Sequence, residues 1–193
     1  MGNRLGRAYA ASMRSLALLA LAPLLAAAAP PVSVTPVSPA FAPAADEYRR
    51  LWTSEGPAIV AAMERWAGLA YPPGAIEILV SEGRPMTAYD GRTIRLRASY
   101  SPAYKKATLV HEMGHRLVLA FPRTGGLDDH RLLYLFLYDA WTDLYGRDFA
   151  DRMVAIERRI GPTYEAAWSW ALAMSREQRQ ARLAALRADP HRP

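Results

Sequence analysis

The stretch Leu109 to Leu117 constrains this chain more than any other, because it carries His111, Glu112 and His115 in the order His-Glu-x-x-His within an apolar run of helical spacing. Two histidines four residues apart project from one helical face, so their imidazoles can close on a single metal ion. Glu112, a little further round the helix, points at the metal's open position. Leu109, Val110, Met113, Leu117 and Val118 would bury this helix on most sides, which argues against surface histidines on an ordinary amphipathic helix. The pattern points to a zinc-dependent hydrolase in which Glu112 serves as the base.

The boundaries of that helix are legible. Ser101 is an N-cap followed by Pro102 at the first helical position, and Phe121-Pro122 with Gly125-Gly126 ends a helix expected to run to about Ala120. Gly114 sits inside it at a cost of about 1 kcal/mol relative to alanine, so another backbone or a substrate is expected to pass close by.

The start of the chain has the character of a secretory signal. Arg4, Arg7 and Arg14 form a basic region, Leu16 to Leu25 an apolar run, and Ala26 to Ala29 a small-residue cleavage site. Ala40-Phe41-Ala42 offers a second cleavage site, and an uncleaved membrane anchor is the rival reading. There is no cysteine, so neither disulfides nor a lipid-modified cysteine enters. These features predict an exported protein, periplasmic or secreted, with membrane attachment only if residues 1–29 are retained. Residues 30–45, rich in Pro, Ala, Val and Ser, read as a linker. Residues 46–189 read as one domain and 190–193 as a tail.

Charge adds little. Of the 24 basic residues three lie in the signal, leaving 21 against 18 acidic ones, and no basic stripe interleaved with aromatics offers a nucleic-acid surface. Within the domain, Asp46 to Leu51 and Pro57 to Leu69 read as two helices, and Ile76 to Val80 and Arg92 to Arg97 as strands with an Asp90-Gly91 turn between them. Alternation in the second strand suits either the exposed edge of a small sheet, able to add a substrate peptide as a further strand, or a plain half-buried hairpin. Helices are expected over Asp128 to Gly146, Phe149 to Ile160, Pro162 to Met174, and from a Ser175 cap to Ala188. The expected fold class is α+β: an α-rich domain with a small sheet ahead of the metal helix.

A hydrolytic zinc takes three protein ligands and a water, so one donor must come from elsewhere. Asp128, Asp129, His130, Asp139 and Asp143 are the downstream candidates. The residues after His115, Arg-Leu-Val-Leu-Ala-Phe, exclude the metzincin pattern. The segment from Tyr138 through Asp139, Ala140, Trp141, Thr142, Asp143, Leu144 and Tyr145 to Gly146 resembles the second zinc helix of the gluzincins, the thermolysin-like peptidases, where the pattern is Asn-Glu-Ala-x-Ser-Asp-x-Phe-Gly. The resemblance implies a zincin-like fold, hydrolysis of peptide substrates, Zn2+ held by His111, His115 and Asp139, and Asp143 hydrogen-bonded to a zinc-bound histidine. Aspartate in place of the family's glutamate brings the pattern nearer to the aspzincins. His130 is the competing ligand; if Asp139 binds the metal, His130 is expected to act in catalysis, donating a hydrogen bond to the tetrahedral intermediate, and Tyr164 is a further candidate donor. The alternative from another class is a catalytically silent scaffold or binding protein of the cell envelope that keeps the metal for stability.

Overall fold

The computed structural model describes residues 29–122 and 124–188, so the segment expected to be a signal or anchor, but for its last residue, and the expected tail lie outside the described residues. Strand β1 (Val32–Pro36) leads through a short 3-10 turn into the long helix α1 (Ala42–Ala67), which is followed by β2 (Ile76–Ser81), β3 (Met86–Thr87) and β4 (Thr93–Arg97). Helices α2 (Pro102–Val118), α3 (Asp129–Tyr145), α4 (Arg147–Glu157), α5 (Pro162–Leu172) and α6 (Arg176–Arg187) complete the chain. Among the described residues no helix is long and apolar enough to cross a membrane.

The four strands lie in the order β1-β2-β4-β3, with β1, β2 and β4 parallel and β3 antiparallel to β4. Ile76, Ile78 and Val80 alternate with more exposed neighbours, as do Ile94 and Leu96, so one face of the sheet is covered and the other is open. Asp90-Gly91 does make a turn: Gly91 has φ +65°, and Asp90 Oδ1 accepts from Arg92 N at 2.8 Å. It joins β4 to β3 rather than to β2. Of the two readings of Arg92 to Arg97, the exposed edge is corrected, because β4 is flanked on both sides and the short β3 is the outer strand, while a half-buried strand of a hairpin, here with β3, is what the structure shows.

Two further corrections concern the first third of the domain. Residues 30–45 are no linker: β1 pairs with β2 over five residues, and Arg49 on α1 donates to Val34 O from Nε and Nη2 at 3.1 and 2.9 Å. Cleavage at Ala40-Phe41-Ala42 would therefore remove a strand of the sheet. Nor does Pro57 start a second helix; it lies inside α1, on the exposed side. The buried positions Ala45, Tyr48, Gly56, Ile59, Val60, Met63 and Ala67 keep helical spacing straight through it. Packing along that stripe outweighs the roughly 3 kcal/mol that an interior proline costs.

Helix α3 is the centre of the molecule. Leu132 to Leu137 are all buried, and α1, α2, α4, α5 and α6 pack around it. Tyr134 stacks on Trp168 at 3.7 Å between ring centroids, and Trp168 on Trp141 at 5.8 Å. Gly114 marks the crossing of α2 over α3: a Cβ there would lie 2.5 Å from Leu133 Cδ1 and 2.7 Å from Met63 Cε. The neighbour that excludes a side chain is thus the packed core, and neither a backbone nor a substrate.

Candidate metal and active site

Helix α2 begins at its Ser101 cap, whose side chain accepts from Tyr104 N, and carries His111, Glu112 and His115 in its second half. Helix α3 begins at Asp128, whose carboxylate accepts from Arg131 N at 2.8 Å, and His130 stands in its first turn. The close crossing at Gly114 and Leu133 brings this first turn over the histidine pair. The ring centroid of His130 lies 5.5 Å from that of His111 and 5.1 Å from that of His115. His111 Nε2 and His115 Nε2 are 3.1 Å apart, and one nitrogen from each of the three histidines falls within 4.8 Å of the others.

The outer side of His111 is held by a residue that sequence reasoning missed. Glu157, at the end of α4, accepts from His111 Nδ1 at 2.8 Å with one carboxylate oxygen. With the other it accepts from Tyr134 OH and Trp168 Nε1, each at 2.9 Å. Burial pushes this carboxyl up, but the His111 ring and the three donors outweigh it and hold the group below the usual carboxylate range. An ionised Glu157 keeps a proton on Nδ1; against the lowering pull of burial, Glu157 and Glu112 hold the His111 ring above the ordinary imidazole value, so Nε2 must give up its proton before it can serve as a donor to a metal. His115 is held well below the ordinary imidazole value by burial and by the charges of His111 and His130. His130 is lowered to about 4 by burial and by His111, so both rings are neutral nitrogen donors at pH 7.

Glu112 is almost wholly buried, and burial raises its carboxyl against the opposing pull of His111 and Thr87. Thr87, on the edge strand β3, places its hydroxyl 2.9 Å from Glu112 Oε2 and 2.8 Å from the Glu112 carbonyl oxygen. Glu112 lines a cleft of about 270 Å³ together with His111, Glu157, Tyr104, Tyr164 and the exposed Arg84. Tyr164 packs its ring 4.4 Å from that of His130.

The two aspartates of the gluzincin-like segment are elsewhere. Asp139 accepts from Arg179 Nη2 at 2.7 Å and Arg176 Nε at 3.0 Å, both on α6. It sits nine residues beyond His130 on the same helix, about 13.5 Å along the axis, and so cannot share a metal with it. Asp143 accepts from Arg65 Nη1 at 2.7 Å and Trp66 Nε1 at 2.8 Å on α1. Neither Asp139 as ligand nor Asp143 as partner of a ligating histidine agrees with these contacts: the third ring at the cluster is His130, and the carboxylate behind it is Glu157. His130 is not among the residues that line the cleft; its ring stands with those of His111 and His115. Glu157 had left a trace in the sequence, because it extends the buried stripe Phe149, Ala150, Met153 and Val154 of α4 by one helical step and puts a carboxylate on an apolar face.

Compared with known proteins, the chain matches no family model, no curated protein and no solved structure.

Proposed function

We propose that this chain is a zinc-dependent peptidase with a zincin-like fold, in which His111, His115 and His130 hold the metal and Glu112 is the general base. The single observation that carries the reading is the convergence of three imidazole nitrogens beside a buried glutamate, with His111 and Glu112 lining a cleft. The donor set fits zinc. Bonds of 2.0–2.1 Å at tetrahedral angles require ligand nitrogens about 3.3 Å apart, and His111 and His115 already stand at 3.1 Å. Glu157 fixes the tautomer that ligation needs, as carboxylates behind zinc histidines do. A zinc ion held there would supply an acidified water and polarise the scissile carbonyl.

The remaining work falls to the chain itself. Glu112, raised by burial, takes a proton from the attacking water and delivers it to the departing amine, while the Thr87 hydroxyl holds the carboxylate in place. Tyr164 offers a hydroxyl to the carbonyl oxygen as it gains charge. The free side of β3, one residue of which touches Glu112, accepts the peptide backbone as a further antiparallel strand. The silent-scaffold alternative fits less well, because a structural zinc site is closed by four protein ligands and has no use for a base. The basic and apolar opening of the sequence supports export, so the substrate is a peptide or protein met outside the cytoplasm.

Metal analysis and a peptide digest test the reading. Wild-type protein should carry one zinc per chain and His130→Ala far less. Glu112→Gln should keep its zinc and lose about 10²–10⁴-fold of hydrolysis. Full zinc in His130→Ala, or wild-type turnover in Glu112→Gln, would refute it.

A further inference from the structure

The outer end of the cleft carries two guanidinium groups that the hydrolytic machinery does not use. Arg84 precedes β3, Arg97 ends β4, and both line the cleft that leads to His111 and Glu112. The antiparallel ladder pairs Thr87 with Ile94 and Met86 with Arg95, and Arg84 and Arg97 lie at the same end of the two strands. Like charges lining one cleft repel one another. Glu82 relieves one of them: its Oε2 accepts from Arg97 Nε at 3.1 Å and from Ser99 Oγ at 2.7 Å. Arg84 is left exposed and without a carboxylate partner among the described residues. Its positive charge reaches into the cleft, where it acts on the hydroxyl of Tyr164, a group that burial and the charges of Glu157 and Glu112 push the other way.

We infer that Arg84, backed by Arg97, is a specificity residue that binds a carboxylate of the peptide substrate on the leaving-group side of the scissile bond. The inference rests on the peptidase reading for its direction. A peptide lying antiparallel to β3 with one residue opposite Thr87 brings its next three residues opposite Met86, Pro85 and Arg84, so the group met by Arg84 is downstream of the bond at Glu112. A guanidinium offers a carboxylate paired N–H donors that an amide cannot exploit, and an acidic side chain and a free C-terminus share that chemistry.

Four tripeptides separate these sources: Ala-Ala-Asp and Ala-Ala-Asn, each with a free or an amidated C-terminus. Calorimetric titration into the zinc-loaded full chain carrying Glu112→Gln measures binding without turnover. The expected result is about tenfold tighter binding of at least one carboxylate-bearing form than of amidated Ala-Ala-Asn, an advantage abolished when Arg84→Gln is added. Preference for amidated Ala-Ala-Asp assigns an acidic side chain, and preference for the free acid of Ala-Ala-Asn assigns a terminal carboxylate. Equal affinity for all four, no measurable binding by any, or an advantage that survives Arg84→Gln overturns the inference. Zinc content and hydrolysis of the wild-type chain, measured in parallel, keep the two readings apart. An Arg84-dependent preference beside a wild-type chain that shows no turnover would sink the peptidase alone, and turnover without the preference would sink this inference alone.

Discussion

Glu157 and Asp139 are both carboxylates buried to within a few per cent, 3% and 1% exposed, yet their partners put them to different uses. Asp139 faces two guanidiniums from α6, one of them buried, and the contact ends there: charge meets charge and two helices are tied together. Glu157 faces an imidazole, a phenol and an indole, and the imidazole has a second nitrogen on its far side that is turned toward two more histidines. A buried acid is therefore a poor marker of function by itself. What distinguishes the two is whether a partner still has a free valence to offer beyond the contact.

Substitutions at the two positions should separate cleanly. The largest effect on the fold is expected from Asp139→Ala, which strands Arg179 in the interior and should cost about 3 kcal/mol of stability, read by denaturant unfolding. Zinc affinity of the folded fraction should be unchanged; a collapse of zinc binding in this variant would return Asp139 to the metal site. Glu157→Gln should do the converse, keeping the chain folded while lowering zinc affinity about 10–100-fold, as loss of a carboxylate behind a ligating histidine does. Competition with a chromogenic chelator measures it, and wild-type affinity would remove Glu157 from the site. The smallest expected effect sharpens the comparison at the third buried acid: Thr87→Val deletes one hydrogen bond to Glu112, worth about 1 kcal/mol, and should slow hydrolysis several-fold with zinc content intact. A loss as large as that of Glu112→Gln would mean that Thr87 does more than hold the carboxylate.

How much of this was legible in the chain depends on how local each signal is. The α2 helix announces itself through Ser101-Pro102 and an unbroken apolar period, and the Asp90-Gly91 turn through its own side-chain chemistry. Strand β1 is different, because its partner is β2, more than forty residues on by register, and nothing in an uncharged Pro/Ala/Val stretch points to a parallel neighbour across a helix. The third ring was open for a related reason. A linear likeness to a known zinc helix drew attention to Asp139, whereas the ring that stands by His111 and His115 depends on which turn of α3 lies over α2, and the contact of Leu133 with Gly114 marks that crossing. Glu157 depends on the same three-dimensional fact, since α4 reaches His111 only after α3 has been placed.

The bond from Trp168 to Glu157 also gives the molecule an optical handle. An indole that donates to the carboxylate behind His111, and lies flat against Tyr134, is placed to sense the charge on that carboxylate. If the three histidines hold zinc as proposed, loading or stripping it would alter the electron demand on His111, and through it on Glu157, so the fluorescence of Trp168 should respond during a metal titration. Four other tryptophans share the chain, and subtracting the signal of a Trp168→Phe chain isolates the one indole that is wired to the cluster. Occupancy can then be followed in real time, without a substrate and without a dye.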